Sequence, residues 1–175
     1  MNKFICTWGA TPIIITILTT LLIFSISICM IVRYTKRYKM RGKNHGLVIF
    51  VLIIFYLLPT VLFVAFPLMP LKILVTNENL VVSQIKGNIT IPFSEITEIR
   101  EIQQGEMSGG IRTFGSGGLF GYLGKFHNSQ LGDYQMYITD TKNRFIVKTI
   151  NQIYIFNCKD SEKLIQIVDN QINKQ

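Results

Sequence analysis

The sequence predicts a transmembrane helical hairpin followed by a mainly-β domain of about seven antiparallel strands with one C-terminal α-helix. Two observations indicate this class. The chain is 49% hydrophobic and only 16% charged, and the apolar excess lies in two long uncharged stretches near the N-terminus. From residue 71 onward the sequence changes to short β-branched runs separated by turn residues. The predicted division is therefore residues 1–70 for the membrane anchor and residues 71–175 for the β domain.

The two uncharged stretches are predicted to be membrane-spanning helices, at about 12–32 and 46–69. Pro12 to Val32 is twenty-one residues long and Gly46 to Met69 is twenty-four. At about 1.5 Å of rise per residue, either stretch covers a hydrocarbon core of roughly 30 Å. The first stretch is longer than the apolar region of a secretory signal, and no Ala-x-Ala-like site follows it. We therefore expect an uncleaved anchor in the lipid bilayer.

The connecting segment, residues 33–45, is predicted to be a basic loop that sets the orientation. Residues 1–70 carry seven Lys or Arg and no Asp or Glu, whereas residues 71–175 carry eleven basic and ten acidic side chains. Short basic loops stay on the cytoplasmic side, so the β domain is expected outside the cytoplasmic membrane, with a cytoplasmic domain as the alternative. A near-neutral β domain also argues against a nucleic-acid partner. The predicted topology determinants are Arg33, Lys36, Arg37, Lys39, Arg41 and Lys43.

The β domain is predicted from β-branched runs and from the turn residues between them. The run 96–102 also fits a helix, because isoleucine recurs there at every third position. The final segment, about 160–173, has the apolar periodicity of an amphipathic helix, with Asp160 or Ser161 as its N-cap. The predicted strands are Lys72–Thr76, Leu80–Ile85, Asn88–Ile91, Ile96–Ile102, Asp133–Thr139, Arg144–Thr149 and Gln152–Phe156.

The segment 105–124 has eight glycines in twenty residues, interleaved with aromatic side chains. It admits three interpretations. One is an ordered loop whose glycines supply positive φ, and another is a binding loop for a protein, a peptide or a lipid surface. The third is a phosphate or nucleotide site, although the glycine spacing misses both the P-loop and the dinucleotide fingerprint. The residues of the predicted binding loop are Arg112, Phe114, Gly117, Gly118, Phe120, Tyr122, Lys125 and Phe126.

Four segments together resemble the bacterial pleckstrin-homology-like (PH-like) domains of small membrane proteins. They are the Gly/aromatic run 112–126, the run 131–139, the strand 143–149 and the helix start at 160–165. The resemblance implies about seven strands in a bent sheet or partly open barrel, closed by one C-terminal helix. It also implies a binding or scaffolding module, here in a bacterial cell envelope, rather than an enzyme. Lipid-phosphate-binding relatives carry Lys and Arg between the first two strands, whereas this turn reads Asn77-Glu78-Asn79, so a phosphoinositide ligand is not expected.

Neither catalysis nor a cofactor or metal is predicted. The three cysteines, Cys6, Cys29 and Cys158, lie far apart in sequence and form no Cys-x-x-Cys pair, so no disulfide framework or zinc site is implied and the compartment stays open. Cys158 would need a base to act as a nucleophile, and only His45 and His127 exist. The function expected is a non-enzymatic, membrane-anchored interaction module with a protein partner. The alternatives are a nucleotide-binding protein or enzyme that uses residues 105–124, and a small transporter or channel subunit.

Overall fold

The computed structural model describes residues 2–41, 46, 53 and 65–173. A long helix, α1 (Ala10–Arg41), follows a short N-terminal strand. Within the described residues, Ala10–Arg33 is the segment that is long and apolar enough to cross a membrane. The predicted basic loop is helical as far as Arg41, because Lys and Arg favour helix and no Gly or Pro lies within residues 33–41. Most of the second predicted span, and Lys43, lie outside the described residues.

The first sheet has the strand order β1-β2-β3-β4, and every neighbouring pair in it is antiparallel. Its first strand precedes α1, whereas the others follow the second apolar stretch. Phe4 lies opposite Ile73, and both side chains are buried. The structure thus adds residues 2–5 to the β domain, although the sequence prediction places them with the membrane anchor. The strands are β1 (Asn2–Ile5), β2 (Pro70–Val75), β3 (Asn79–Gln84) and β4 (Asn88–Pro92).

The second sheet has the order β5-β9-β10-β8-β7-β6. Its β8 and β10 strands run parallel, so the expectation of an entirely antiparallel domain is wrong at this pair. A parallel pair is possible here because β9 lies between the two strands in sequence and returns the chain to the starting end of the sheet. The strands are β5 (Ile96–Glu101), β6 (Ile111–Gly117), β7 (Tyr122–Asn128), β8 (Gly132–Ile138), β9 (Arg144–Thr149) and β10 (Ile153–Asn157).

The C-terminal helix, α2 (Ser161–Ile172), closes the domain as predicted. Its buried Leu164 and Val168 join the main core, which takes apolar side chains from both sheets. A second apolar cluster uses alternate residues of the same strands. In β8, for example, Tyr134 and Met136 belong to the second cluster, whereas Tyr137 belongs to the main core. The second sheet is therefore apolar on both faces for part of its length.

All seven predicted strands of the β domain are present, with small differences at their ends. The run 96–102 is a strand over Ile96–Glu101, and a short 3-10 turn at Phe93–Glu95 precedes it. Three strands are missing from the prediction: β1, β6 and β7. The last two lie in the glycine-rich segment, where few residues have the β-branched character of a strand.

Candidate binding surface

The glycine-rich segment forms a β-hairpin, so its interpretation as a long loop is wrong. Gly115 of β6 lies directly opposite Gly124 of β7, with φ near 109° and 122°. A Cβ on Gly115 would overlap the Leu123 carbonyl oxygen, and one on Gly124 would overlap the Phe114 carbonyl oxygen. The expectation that glycines supply positive φ is thus confirmed at this pair. Glycine is required here because the two backbones cross closely with a strong local twist.

The turn of this hairpin, residues 118–121, lies against α1. The Gly118 N–H donates to the Gly121 carbonyl at 2.9 Å, and the Ser116 hydroxyl donates to the Leu119 carbonyl at 2.6 Å. The Phe120 N–H donates to the Thr16 hydroxyl of α1 at 3.0 Å. The Phe120 ring packs edge-on against Phe66, with 5.4 Å between centroids. The turn is therefore fixed between the first helix and the chain segment that leads into β2.

The eight predicted binding-loop residues do not form a single patch. Four lie exposed on the hairpin, and Gly118 is buried against Ile15 of α1. Phe120 is half-buried in the turn, and Tyr122 is half-buried on β7. Phe126 is buried and stacks on Tyr134, with 5.9 Å between ring centroids. The exposed residues are Arg112, Phe114, Gly117 and Lys125.

Among the residues that the structure describes, strand β6 is an edge of the second sheet and is hydrogen-bonded only to β7. Its Ile111 and Phe114 are 67% and 62% exposed, which is unusual for large apolar residues on an edge strand. Phe114 lies opposite Lys125 in the register, and the chain bulges between Arg112 and Phe114. The β6 edge therefore combines open backbone groups, two exposed apolar side chains and two cations.

The segment before β6 is held to β5 by an ion pair between Glu106 and Arg100. Arg100 donates from Nη1 and Nη2 to the two carboxylate oxygens of Glu106 at 2.9 and 2.6 Å, and Glu98 pairs with both Arg100 and Lys148. The Arg100 hydrogen bonds lower the pKa of the Glu106 carboxyl. These carboxylates form an ion-pair network with Arg100 and Lys148. Within the described residues, no group of three or more His, Cys, Asp or Glu side chains is placed to hold a metal ion.

Comparison with known proteins assigns the family. Residues 71–172, more than half of the chain, match the bacterial PH domain family. The chain belongs to that family. A protein of Clostridium acetobutylicum described as uncharacterized is 37% identical over 86 residues, which is 48% of this chain and 28% of that relative. The match thus spans less than a third of the relative's length. No solved structure matches the chain.

The PH domain has a cavity of about 230 Å³ on the second apolar cluster. Two predicted site residues, Tyr122 and Phe126, line it together with Tyr134 and Met136. Arg144 lies at its side, with its Nη1 3.3 Å from the Met107 sulfur. The aromatic residues of the hairpin therefore lie in two separate regions: Phe114 is on the outer edge, whereas Tyr122 and Phe126 line this cavity.

The first hairpin of the PH domain is the place where lipid-phosphate-binding relatives carry cations. Here the turn between β2 and β3 is closed by the Thr76 hydroxyl, which donates to the Asn79 carbonyl and accepts from the Asn79 N–H. Its exposed charged side chain is that of Glu78. The turn therefore offers a carboxylate where a phosphate ligand would require a cation. The absence of a phosphoinositide ligand stays a prediction.

The structure brings together two cysteines that lie 152 positions apart. Cys6 and Cys158 are 5% and 0% exposed and belong to the same core. Burial raises the pKa of each thiol to about 12, so Cys158 is a poor nucleophile. His127, which the sequence offers as a possible base for Cys158, pairs with Asp133, with 2.7 Å from Nδ1 to Oδ1. No local motif could indicate the cysteine pair, since the contact depends on where residues 5–9 lie.

Proposed function

We propose that this chain is a membrane-anchored PH-like interaction module that binds a protein partner through the β6 edge. The observation that carries the proposal is an edge strand that exposes Ile111 and Phe114 beside Arg112 and Lys125. Edge strands recruit extended peptides by main-chain hydrogen bonding, and alternate side chains then give specificity. The two cations favour a partner segment with acidic residues next to an apolar one.

The same hairpin weakens the nucleotide alternative. A phosphate cradle needs backbone N–H groups that are free to point at an anion. In the turn of this hairpin, the Gly118, Gly121 and Phe120 N–H groups donate to the Gly121 carbonyl, the Gly118 carbonyl and the Thr16 hydroxyl, so they are not free for an anion. Gly115 and Gly124 face each other closely across the strands. The glycines thus support close strand packing.

The proposal includes an even number of membrane crossings between β1 and β2. Strand β1 ends at Ile5, before α1, and pairs with β2, which begins at Pro70 after the second apolar stretch. If α1 spans the bilayer, the chain must return across it to complete the first sheet. The pairing of β1 with β2 thus supports a hairpin, with the N-terminus and the PH domain on the same side.

The charge distribution along α1 supports an extracytoplasmic PH domain. The domain contacts the first turns of α1 at Thr16, whereas Arg33 to Arg41 form its opposite end. A 24-residue apolar stretch is about 36 Å long, enough to separate the two ends by a hydrocarbon core. Because basic segments remain cytoplasmic, the domain at the other end would face outward.

Photo-crosslinking tests partner binding in native membranes. A benzophenone amino acid replaces Phe114 in the full chain, and Ile150 serves as the matched control because it is 69% exposed and lies between β9 and β10. We expect a discrete protein adduct from position 114 and none from position 150. The charge reversal Lys125→Glu should lower the yield several-fold. Equal yields at both positions would overturn the proposed edge site.

Labelling of single cysteines tests the topology separately. In a chain whose native cysteines are replaced by Ser, Lys142→Cys reports the PH domain and Lys36→Cys reports the far part of α1, both at exposed positions. A membrane-impermeant maleimide on intact cells should modify only the first. Modification of Lys36→Cys alone would place the domain in the cytoplasm, and modification of both would argue against a spanning α1.

A further inference from the structure

Residues 5–7 and 157–159 lie side by side in antiparallel directions. The Lys159 N–H donates to the Ile5 carbonyl at 3.1 Å, and the Asn157 side-chain amide donates to the Thr7 carbonyl at 3.1 Å. These contacts flank one pair of positions, Cys6 and Cys158, which therefore lie opposite each other. Both side chains are buried in the same core cluster, where the structure has them as free thiols.

We propose that Cys6 and Cys158 form a disulfide in the mature protein, which closes the N-terminal segment onto the start of α2. Directly opposite residues in antiparallel segments have Cα atoms roughly 4.5–5.5 Å apart, within the range of about 4.4–6.8 Å found in disulfides. The proposal rests on the extracytoplasmic placement proposed above, because disulfides persist in oxidising compartments and are rare in the cytosol.

The reaction is a two-electron thiol–disulfide exchange. The Cys6 and Cys158 thiols each lose their hydrogen and their sulfurs join. The two electrons and two protons pass to an oxidised dithiol of an extracytoplasmic thiol-oxidase-class protein, whose S–S bond breaks to give two thiols. The reaction precedes complete folding, since burial raises the pKa of both native thiols to about 12 and leaves little thiolate. Once formed, the buried bond is shielded from reductants.

The disulfide would join two residues that lie 152 positions apart in the sequence. Its loop encloses α1, the second apolar stretch and strands β2 to β10 of the PH domain. Residues 2–9 would then be held on the domain even if β1 separated from β2 at the sheet edge. Cys29 lies within α1 and is exposed, so it is no candidate for this pair.

The test counts thiols in the full chain expressed in bacterial membranes, with Cys29→Ser as the background. Cells are quenched in acid, the chain is denatured, and a polyethylene-glycol maleimide is added with or without prior reduction. We expect no modified thiol without reduction and two after it. The matched controls, each with Cys6→Ser or Cys158→Ser added, should show one modified thiol under both conditions.

A second arm separates failure of the disulfide from failure of the topology. The reduced chain, purified in detergent, is unfolded and refolded in a glutathione redox buffer, where pairing depends on geometry alone. We expect oxidation there and a thermal midpoint higher than that of the Cys6→Ser control by on the order of 10 °C. Thiols that stay reduced in this buffer would overturn the proposal whichever side the domain occupies.

The labelling of Lys142→Cys supplies the third arm. Free thiols in cells, together with Lys142→Cys labelled from outside, would overturn the disulfide while leaving the topology intact. Free thiols in cells with an unlabelled Lys142→Cys would overturn the extracytoplasmic placement and with it the disulfide in the native protein.

Discussion

The two sheets of the PH domain are assembled from differently distributed parts of the chain. The first sheet takes β1 from residues before α1 and β2 to β4 from residues after the second apolar stretch. The second sheet comes entirely from one continuous stretch, Ile96 to Asn157. The first sheet therefore joins residues from both sides of α1, whereas the second consists only of residues inside the family match.

The sheets also differ in what their faces do. The first sheet contributes buried residues such as Ile73, Leu80 and Val82 to the main core. The second contributes to two apolar clusters, and its edge β6 leaves apolar side chains exposed. The two sheets thus differ in the part of the chain that builds them and in the faces they expose, so a substitution in one sheet should affect that sheet before the other.

The largest effect on stability is expected from Gly115→Ala in the second sheet. The new Cβ would overlap the Leu123 carbonyl oxygen, and alanine strongly disfavours a φ near 109°. We expect a loss of about 3–4 kcal/mol, with amide hydrogen exchange rising in β6 to β8 before β2 and β3. Gly117→Ala is the control, because its Cβ would come no closer than 3.6 Å to the Arg112 side chain. Equal effects of the two substitutions would contradict the required glycine pair.

A somewhat smaller effect is expected from Phe4→Ala, which tests whether β1 belongs to the first sheet. Phe4 is 6% exposed in the main core, so its truncation should cost about 3 kcal/mol. Faster exchange should appear first in the β2 amides paired with β1. The control Ile5→Ala truncates the next residue of the strand, which is 61% exposed, and should cost less than about 0.5 kcal/mol. If hydrogen exchange of the β2 amides did not change in Phe4→Ala, the conclusion that β1 belongs to the first sheet would be wrong.

The differences between prediction and structure have identifiable physical causes. Strands such as Arg144–Thr149 and helix α2 are predictable because their signal is local periodicity. Strand β1 is not, since four residues before an apolar helix carry no sign of a partner about seventy positions away. Most of the glycine-rich segment reads as a loop because its strand pairing depends on two glycines facing each other across the hairpin.

The candidate site was predictable only in part for the same reason. Successive residues of a strand point to opposite faces, and Phe114 lies opposite Lys125, the residue before Phe126. One stretch of sequence therefore supplies both an exposed edge and a cavity wall. Phe114 lies on the edge, whereas Phe126 lies in the cluster with Tyr134. Sequence spacing identifies these residues as unusual, but without the register it cannot separate them.

The smallest effect is expected from Glu106→Gln, which tests whether the segment before β6 depends on its ion pair. Arg100 hydrogen bonds lower the pKa of the Glu106 carboxyl in the folded protein, and the Gln103 N–H also donates to it at 3.0 Å. A lowered folded-state pKa stabilises the fold above the unfolded-state value, roughly 4.3, and this contribution disappears as the pH falls through the folded-state pKa. We therefore expect Glu106→Gln to cost about 1 kcal/mol at neutral pH and almost nothing at strongly acidic pH.

Urea unfolding of the full chain at neutral and acidic pH measures this difference. The control is Glu78→Gln, the same change at an exposed carboxylate in the β2–β3 turn of the first sheet, which forms no ion pair within the described residues. Its cost should be small at both pH values. The Asn128 side-chain amide donates to the backbone carbonyl of Glu106 at 2.8 Å. This hydrogen bond does not involve the Glu106 side chain, so the substitution should leave it in place. If the stability cost of Glu106→Gln were the same at both pH values, Glu106 would act through packing. The predicted contribution of its ion pair with Arg100 would then be wrong.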